Sequence, residues 1–507
     1  MNTLFALRLA LLATFALGIA LIMLRPEQAW QKAREFLLEP THPANLGLLR
    51  AVVFGTVFYD ACHSQAWWYA TLPKEFVSPP RGWEWLGAWF ESWLPYVKPA
   101  QTLLCVCAAL ASLGVLARVT TKLAAILAVL VLGVPAFFFK VSHGLHMPVL
   151  LALVLASSRA GDGLAIDVWI RQYRGQPAPS PGPAYTIPVR LCWLILGTMY
   201  LFPGVWKLWD TGDQWLNGTK LQVEMAKKWA QSPEFVPALR VDHSKWLLAI
   251  GGAFTLIFEI GFFFAILWRP TRLLGALAAA LFHTGVGLTM GIWFSVFFPL
   301  IVFIDFPAVL RLWPFRYAAP ILIAAFETAR RRLSLRPQPA PALDSNRSHY
   351  SASAPPLLVG LLLLTSMLYA GLVPVDSWPI SVYPLFNSRV GKAPERGSWL
   401  EFALSGPDEQ RRELGRLTFA HLQDNAEAYR IAREVAPGFD PKYRPKKMSE
   451  EDKQRYIDLI ARFVRESVGE TGDAETLLIY RREFLLDPEL RGTRSFARDL
   501  VAEVPLQ

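Results

Sequence analysis

The run MYLFPGVWKLWDTGDQW, residues 199–215, sets Lys207 between two tryptophans at the end of an apolar segment. Two chemistries suit that setting. A lysine at the margin of a membrane span extends its ammonium to the headgroups and anchors the helix. A lysine enclosed in an apolar pocket behaves differently: burial disfavours its charged form, and a neutral amine takes a proton from an acidic hydroxyl. The same choice arises for every ionisable side chain inside an apolar stretch, because placing one in hydrocarbon costs roughly 2.5–3.5 kcal/mol on insertion scales. The residues concerned are Arg50, Asp60, His143, His146, Arg190, Lys207, Glu259, His283 and Asp305.

Glu259, in LIFEIGFFF, has apolar neighbours on both sides. It must be protonated or paired, with Arg190 and Lys207 as candidate cations, and proton handling beside a substrate is the functional alternative. His283 lies deep in AAALFHTGVGLTM, where an imidazole either bonds a carbonyl or exchanges protons near neutral pH. His143 and His146 are three residues apart, close enough to face one cavity, but no third ligand at local spacing makes them a metal site. Arg50 either snorkels or pairs with a carboxylate. Asp305 stands at a helix exit, and Asp167 follows a Gly-rich turn where it would cap or brace residues 168–172. The four cysteines (Cys62, Cys105, Cys107, Cys192) fall in or beside apolar spans and form neither a disulfide framework nor a zinc signature.

These residues need elements to hold them, and the composition says which kind. Of 507 residues 53% are hydrophobic and 18% charged, the balance of a polytopic membrane protein. Apolar stretches long enough to cross hydrocarbon as helices occur at 3–24, 45–64, 100–117, 121–141, 186–205, 246–267, 272–291, 293–312 and 355–375, with a shorter run at 146–158. The fold class expected is all-α with about nine or ten spans and a small soluble C-terminal domain. The first stretch resembles a signal peptide in position but reads as a retained helix. The net charge of +10 sits mainly in short loops, so positive-inside placement explains it better than nucleic-acid binding. That rule puts residues 25–44, 118–122, 159–185, 268–272 and 313–354 on one, cytoplasmic, face. The insertions 65–99 and 206–245 and everything after 375 lie on the other, which in a bacterial inner membrane is the periplasm. WEWLGAWFESW, within 65–99, reads as an interfacial helix or the roof of a pocket. In the tail, 408–435 and 448–468 carry apolar residues at helical spacing, so a mixed or helical appendage is expected.

Several stretches, taken in order, resemble one family: the vitamin K-dependent gamma-carboxylases and the bacterial proteins that share their horizontally transferred transmembrane (HTTM) domain. The resemblance runs over residues 40–312. LLEPTHPANLGLLRAVVFG carries Arg50, and HGLHMPVLLALVLASSRAGDGLAIDVW carries His146 and closes on Asp167. MYLFPGVWKLWDTGDQWLNG carries Tyr200, Gly204, Lys207, Leu208, Trp215 and Gly218, and Glu259 is followed by the pair Phe282 and His283 and then an FFP segment. The resemblance implies that Lys207 is the base that deprotonates reduced vitamin K or menaquinone. The anion reacts with oxygen to give a base that removes a proton from the gamma carbon of a glutamate side chain, carbon dioxide adds there, and the quinone leaves as an epoxide. It also implies that His283 and His146 bind or orient the quinol, that Glu259 supports the pocket, and that Trp206, Trp209 and Trp215 wall it. Arg50, Asp167, Tyr200, Gly204 and Gly218 are structural on this reading, and no metal is involved.

The domain plan that follows is an extra helix and connector over 1–40, the carboxylase-like membrane domain over 41–318, a flexible linker over 319–354, a last span over 355–375 and a non-cytoplasmic domain over 376–507. The partners implied are the lipid bilayer and a secreted or membrane protein bearing glutamates, with no nucleic acid. One departure is plain: the carboxylases have two adjacent lysines in this motif, and here Trp206 replaces the first. A non-catalytic scaffold or quinone-binding subunit with the same fold is the alternative reading.

Overall fold

The computed structural model describes residues 3–64, 66–70, 74, 77, 79–138, 143–231, 235–293, 303, 305–310, 345–373, 375, 377–381, 389–390, 396–406, 411–413, 476–485, 487, 489 and 498–505. The principal helices are α1 (Thr3–Leu24), α2 (Pro26–Leu38), α3 (Pro43–His63), α4 (Val97–Leu113), α5 (Ala117–Leu132), α6 (His143–Ala156), α7 (Ile166–Tyr173), α8 (Pro183–Leu216), α9 (Thr219–Gln231), α10 (Lys245–Leu267), α11 (Arg272–Met290) and α12 (Ser345–Leu372). Eight helical stretches among the described residues are long and apolar enough to cross a membrane, and α6 is a shorter apolar helix of 14 residues. The protein is an integral membrane protein. The apolar stretch 293–312, the linker from 319 and the tail segments 408–435 and 448–468 lie largely or wholly outside the described residues.

Local sequence sets the helix ends. Pro43 opens α3 behind His42, whose Nδ1 accepts the Ala44 N–H at 3.1 Å. Gly114 and Gly291 close α4 and α11 with φ of 73° and 70°, the left-handed turn that glycine adopts at no steric cost. α8 is the central element, packed along α10 on one side and α12 on another. It runs 34 residues, with prolines at 188 and 203 and a break in helical geometry at Thr211 (φ −143°, ψ 23°). Lys207 lies one turn before that break, and helix resumes beyond it to Leu216.

Contacts gather the loops into the two groups that the charges separate. On one face Thr41 pairs with Gly182, Arg269 with Glu39 at 3.3 Å, and Thr186 donates to the Glu39 carbonyl at 2.5 Å. On the other, the Trp83 indole donates to the Trp378 carbonyl at 2.6 Å and the Trp378 indole to that of Val129 at 2.9 Å. There Arg389 also meets Asp213 at 2.8 Å, and Arg240 meets Asp487 and Glu489 at 3.0 Å each.

Three expectations change. Arg50 neither snorkels nor pairs with a carboxylate: fully buried, it donates Nη1 to the carbonyls of Ala160 and Gly163 at 3.0 Å each. Its Nη2 donates to those of Ser112 at 3.2 Å and Leu164 at 2.6 Å. The irregular 160–164 turn has carbonyls without helical partners, and a guanidinium has enough donors to satisfy several. Asp167 caps α5 rather than its own helix, accepting from the backbone N–H of Leu116 at 2.9 Å and Ala117 at 2.7 Å. WEWLGAWFESW runs without a break into α4, so the helical stretch is Glu84–Leu113, and Phe90 is buried by stacking on Phe137 with ring centres 3.9 Å apart.

The described part of the tail is a four-stranded antiparallel sheet in the order β2-β1-β3-β4, made of β1 (Arg396–Ser405), β2 (Arg411–Glu413), β3 (Thr476–Leu485) and β4 (Arg498–Pro505).

Candidate functional site

α8, α10 and α11 bring Lys207, Glu259 and His283 to one place. On α8, Tyr200, Pro203 and Lys207 follow at i, i+3 and i+7 and so share a face. Gly204 lies beside that face, and a Cβ there would stand 2.8 Å from Glu259 Cβ and 3.1 Å from the Ile260 backbone nitrogen. The missing side chain is what lets α10 approach closely enough for Glu259 Oε1 to accept a hydrogen bond from Lys207 Nζ. Lys207 is 4% exposed and Glu259 5% exposed, so the pair is removed from water. A second close approach fixes the lower end of the same interface, where Gly252 faces the Trp215 carbonyl. Gly218, with φ of 81°, turns the chain out of α8 against Leu248.

Beside the ion pair, the Tyr200 hydroxyl and His283 Nε2 are 2.5 Å apart. The Tyr200 ring packs edge-on to Phe258 and Phe262, at 5.1 Å and 4.9 Å. The Trp215 ring lies over Lys207, with Nζ 5.4 Å from its centre, a cation–π placement. These groups line a cavity of about 850 Å³ of empty space, its open mouth included, walled by Met147, Met199, Trp215, Phe282, Val286 and Met290. An apolar chamber with few convergent polar groups is the usual form of a small-molecule site. Glu259 Oε2 is buried and accepts from nothing among the described residues, an acceptor aimed into a site with no donor of its own.

A model of the HTTM domain family matches residues 38–308, more than half of the chain. The chain belongs to the HTTM family. That domain ties it to a membrane family related to the vitamin K-dependent carboxylases. No curated protein and no solved structure matches the chain.

Within this HTTM chain the structure brings Lys207, Glu259, His283, Tyr200 and Trp215 together and leaves other candidates elsewhere. His146 is fully buried, packed edge-on to Trp378 at 5.0 Å, while His143, one turn earlier, lines the cavity. Trp206 turns to α12 and donates its indole N–H to the Gly371 carbonyl at 2.9 Å. Trp209 lies against α1, under the Arg8 guanidinium at 5.1 Å. Neither tryptophan walls the chamber. Arg50 and Asp167 hold the opposite face, far along the fold from Lys207.

One cluster escaped the sequence reading. In α9, Lys220 is fully buried and its Nζ meets Glu224 Oε1 at 2.7 Å, and Lys227 reaches the same oxygen at 2.5 Å from the surface. Burial, together with the charges of Lys227 and Lys207, pulls Lys220 below the usual lysine range, while Glu224 opposes the shift. Leu221, its neighbour, lines the chamber. The signal was present as the spacing Lys220, Glu224, Lys227, a pattern of i, i+4 and i, i+3 ion pairs on a helix, but that pattern is ordinary on solvated helices.

Proposed function

We propose that this HTTM protein is a carboxylase-like membrane enzyme that uses a membrane quinol, such as reduced vitamin K or menaquinone, with oxygen and carbon dioxide. The observation that carries the reading is the Lys207–Glu259 pair at the polar end of an apolar chamber, with Glu259 Oε2 left as a buried acceptor. A hydroxyl on a flat ring fits this arrangement. Its hydroxyl would sit at the Lys207–Glu259 pair within reach of Nζ, its ring would lie among Trp215 and Phe282, and a prenyl tail suits the methionine-lined wall. A bound quinol supplies the electron pair that converts oxygen into a base strong enough to deprotonate carbon beside a carboxylate.

The chain's own residues then have definite tasks. Passing the shared proton to Glu259 gives Lys207 a free lone pair on Nζ. When the hydroxyl O–H bond breaks, that lone pair forms the new N–H bond. Trp215 and the buried chamber exclude water, so the amine competes with no bulk base. Tyr200 and His283 form a second hydrogen-bonded pair at the same end, placed to donate to or accept from another ring oxygen. Because Trp206 packs on α12, the second cation of the carboxylase motif has no counterpart next to Lys207 in the helix, and the buried pairing with Glu259 takes over the control of its proton. The substrate on this reading is a secreted or membrane protein with glutamates. The membrane is the bacterial inner membrane and the sheet domain is periplasmic, an orientation supported by the basic loops on the opposite face.

The test is reconstitution with a reduced quinone, following epoxide formation and carbon dioxide incorporation together. Activity in the wild-type protein and its loss in Lys207→Ala is the expected outcome. Equal turnover with and without the lysine would remove the base assignment, and quinone binding without turnover would leave the scaffold reading.

A further inference from the structure

The end of the molecule away from the chamber holds a charge imbalance that the chain does not settle. Arg190, in the second turn of α8, has a side chain only 8% exposed, and its Nε and Nη1 have no hydrogen-bond partner among the described residues. Its guanidinium is stacked on Trp193, 3.9 Å from the ring centre, and lies 5.2 Å from that of Phe36. Arg272, at the start of α11, lies over the same two rings at 5.0 Å and 5.7 Å. Arg269, one turn before, is 80% exposed. Glu39 is the single carboxylate that pairs with this group among the described residues, 3.6 Å from Arg190 and 3.3 Å from Arg269. Three guanidiniums thus share one anion.

The position says what kind of anion completes the set. α2 ends at Leu38, directly before Glu39, and carries its apolar Phe36 inward while Trp30 is exposed, the build of a helix lying along the membrane surface. α8 and α11 both begin here, so the cluster sits where spans meet the headgroup layer, on the face that collects the basic loops. Cationic hollows between helix ends at this depth take the phosphates of anionic lipids. A guanidinium offers two parallel donors to such a phosphate, which a lysine would not. Stacking on Trp193 and Phe36 holds the arginines in place before any ligand arrives.

We propose that Arg190, Arg269 and Arg272, at the junction of α2, α8 and α11, form a binding site for the phosphate of an anionic phospholipid. The site is independent of the chamber and of the reaction assigned to it. Its acyl chains would run along the outer side of α10 and α11, where Leu267, Leu273 and Leu277 are exposed.

The test uses the full-length protein in nanodiscs of phosphatidylcholine, with or without phosphatidylglycerol, read by native mass spectrometry and by thermal unfolding. Wild-type protein should retain phosphatidylglycerol on release from the disc and unfold at a higher temperature when it is present. Arg269→Gln/Arg272→Gln leaves the buried Arg190 and its stacking intact, so it should fold. It should lower retention at least about tenfold, the loss expected when a charge-assisted hydrogen bond to the phosphate is removed, and abolish the thermal shift. The control Arg25→Gln/Arg34→Gln, basic positions at the start and on an exposed flank of α2, should keep both. Equal loss in the control would mean general surface charge and overturn the site. Unchanged retention in the double variant would overturn it too. An equal thermal shift from inorganic phosphate in pure phosphatidylcholine discs would assign the cluster to free anions instead of lipid.

Discussion

Replacing Lys207 by Met and Glu259 by Gln, singly and together, separates what the pair does for the fold from what it does for chemistry. Both side chains are at most 6% exposed, so water neither screens the pair nor rescues a partner left behind. Removing one member of such a pair typically costs about 3–5 kcal/mol, because the other is stranded in an apolar site. A stranded Glu259 takes up a proton, which limits its share of that penalty. The double variant strands no charge, and neutral groups of similar volume should cost no more than about 1–2 kcal/mol beyond an amide that can turn toward the chamber. The singles then sum to at least about 6 kcal/mol against about 2 for the double, which puts the coupling at several kcal/mol and above about 2 even after proton uptake. The assay is reversible unfolding in mixed micelles, followed by far-ultraviolet circular dichroism, with quinol turnover measured on the same preparations. Stability should return in the double variant and turnover should not. Additivity within about 0.5 kcal/mol would refute the buried pair, and turnover in the double variant would refute the role of Lys207.

Gly204→Ala should destabilise by about 1–3 kcal/mol, since its Cβ would meet the Ile260 backbone nitrogen at 3.1 Å and the helices must part; an unchanged unfolding midpoint would count against the close approach. Arg50→Met should cost at least about 3 kcal/mol by orphaning four carbonyls, and Arg50→Lys, with fewer donors, should recover only part of it in the same assay. Lys220 binds its proton less readily in the fold than in the unfolded chain, so between its lowered value and the ordinary lysine range the unfolded state holds more protons and stability rises with pH. Unfolding midpoints followed upward into the ordinary lysine range should show that rise, and Lys220→Met should flatten it. Trp215→Leu should weaken quinone binding measured by fluorescence quenching, whereas Trp206→Leu should leave it unchanged and loosen α12, detectable by faster hydrogen exchange there.

The spans were legible because hydrocarbon demands long apolar runs, and the same demand singled out Lys207, Glu259 and His283 as residues needing an explanation. The grouping of the loops was legible too, in that contacts gather them into the two sets their charges predict. What the sequence did not reveal was which helix faces meet. At about 100° per residue, Trp209 points roughly opposite to Tyr200 and Trp206 well off the line through Tyr200 and Lys207. Adjacency to the lysine in sequence therefore says little about the chamber wall. For His143 and His146, three residues apart and on neighbouring lines of α6, helical phase makes no choice; packing of His146 on Trp378 leaves His143 at the cavity. Arg50 went to carbonyls rather than a carboxylate because the 160–164 turn is irregular, and an irregular turn leaves no periodic trace. The tail strands run apolar and charged residues in blocks, as in TLLIYRREFL, without the period-2 alternation that marks a strand, and carry less signal than a span.

α8 has one more consequence. At about 1.5 Å per residue its stretch from Pro183 to the break at Thr211 alone reaches about 40 Å, against roughly 30 Å of hydrocarbon, so at the usual tilt of about 20° part of α8 stands outside the bilayer. Its start is tied to Glu39 and Thr41 at one surface, so the excess lies beyond Lys207, where the helix breaks at Thr211. The lysine then sits near the boundary between two solvents. On the proposed function a prenylated quinol would reach it by diffusion in the plane of the membrane, at a concentration counted per lipid, while protons would come and go through water at the exposed Leu216 and Asn217. Each traffic can be changed without touching the other: the first by diluting the quinone with lipid, the second by buffer.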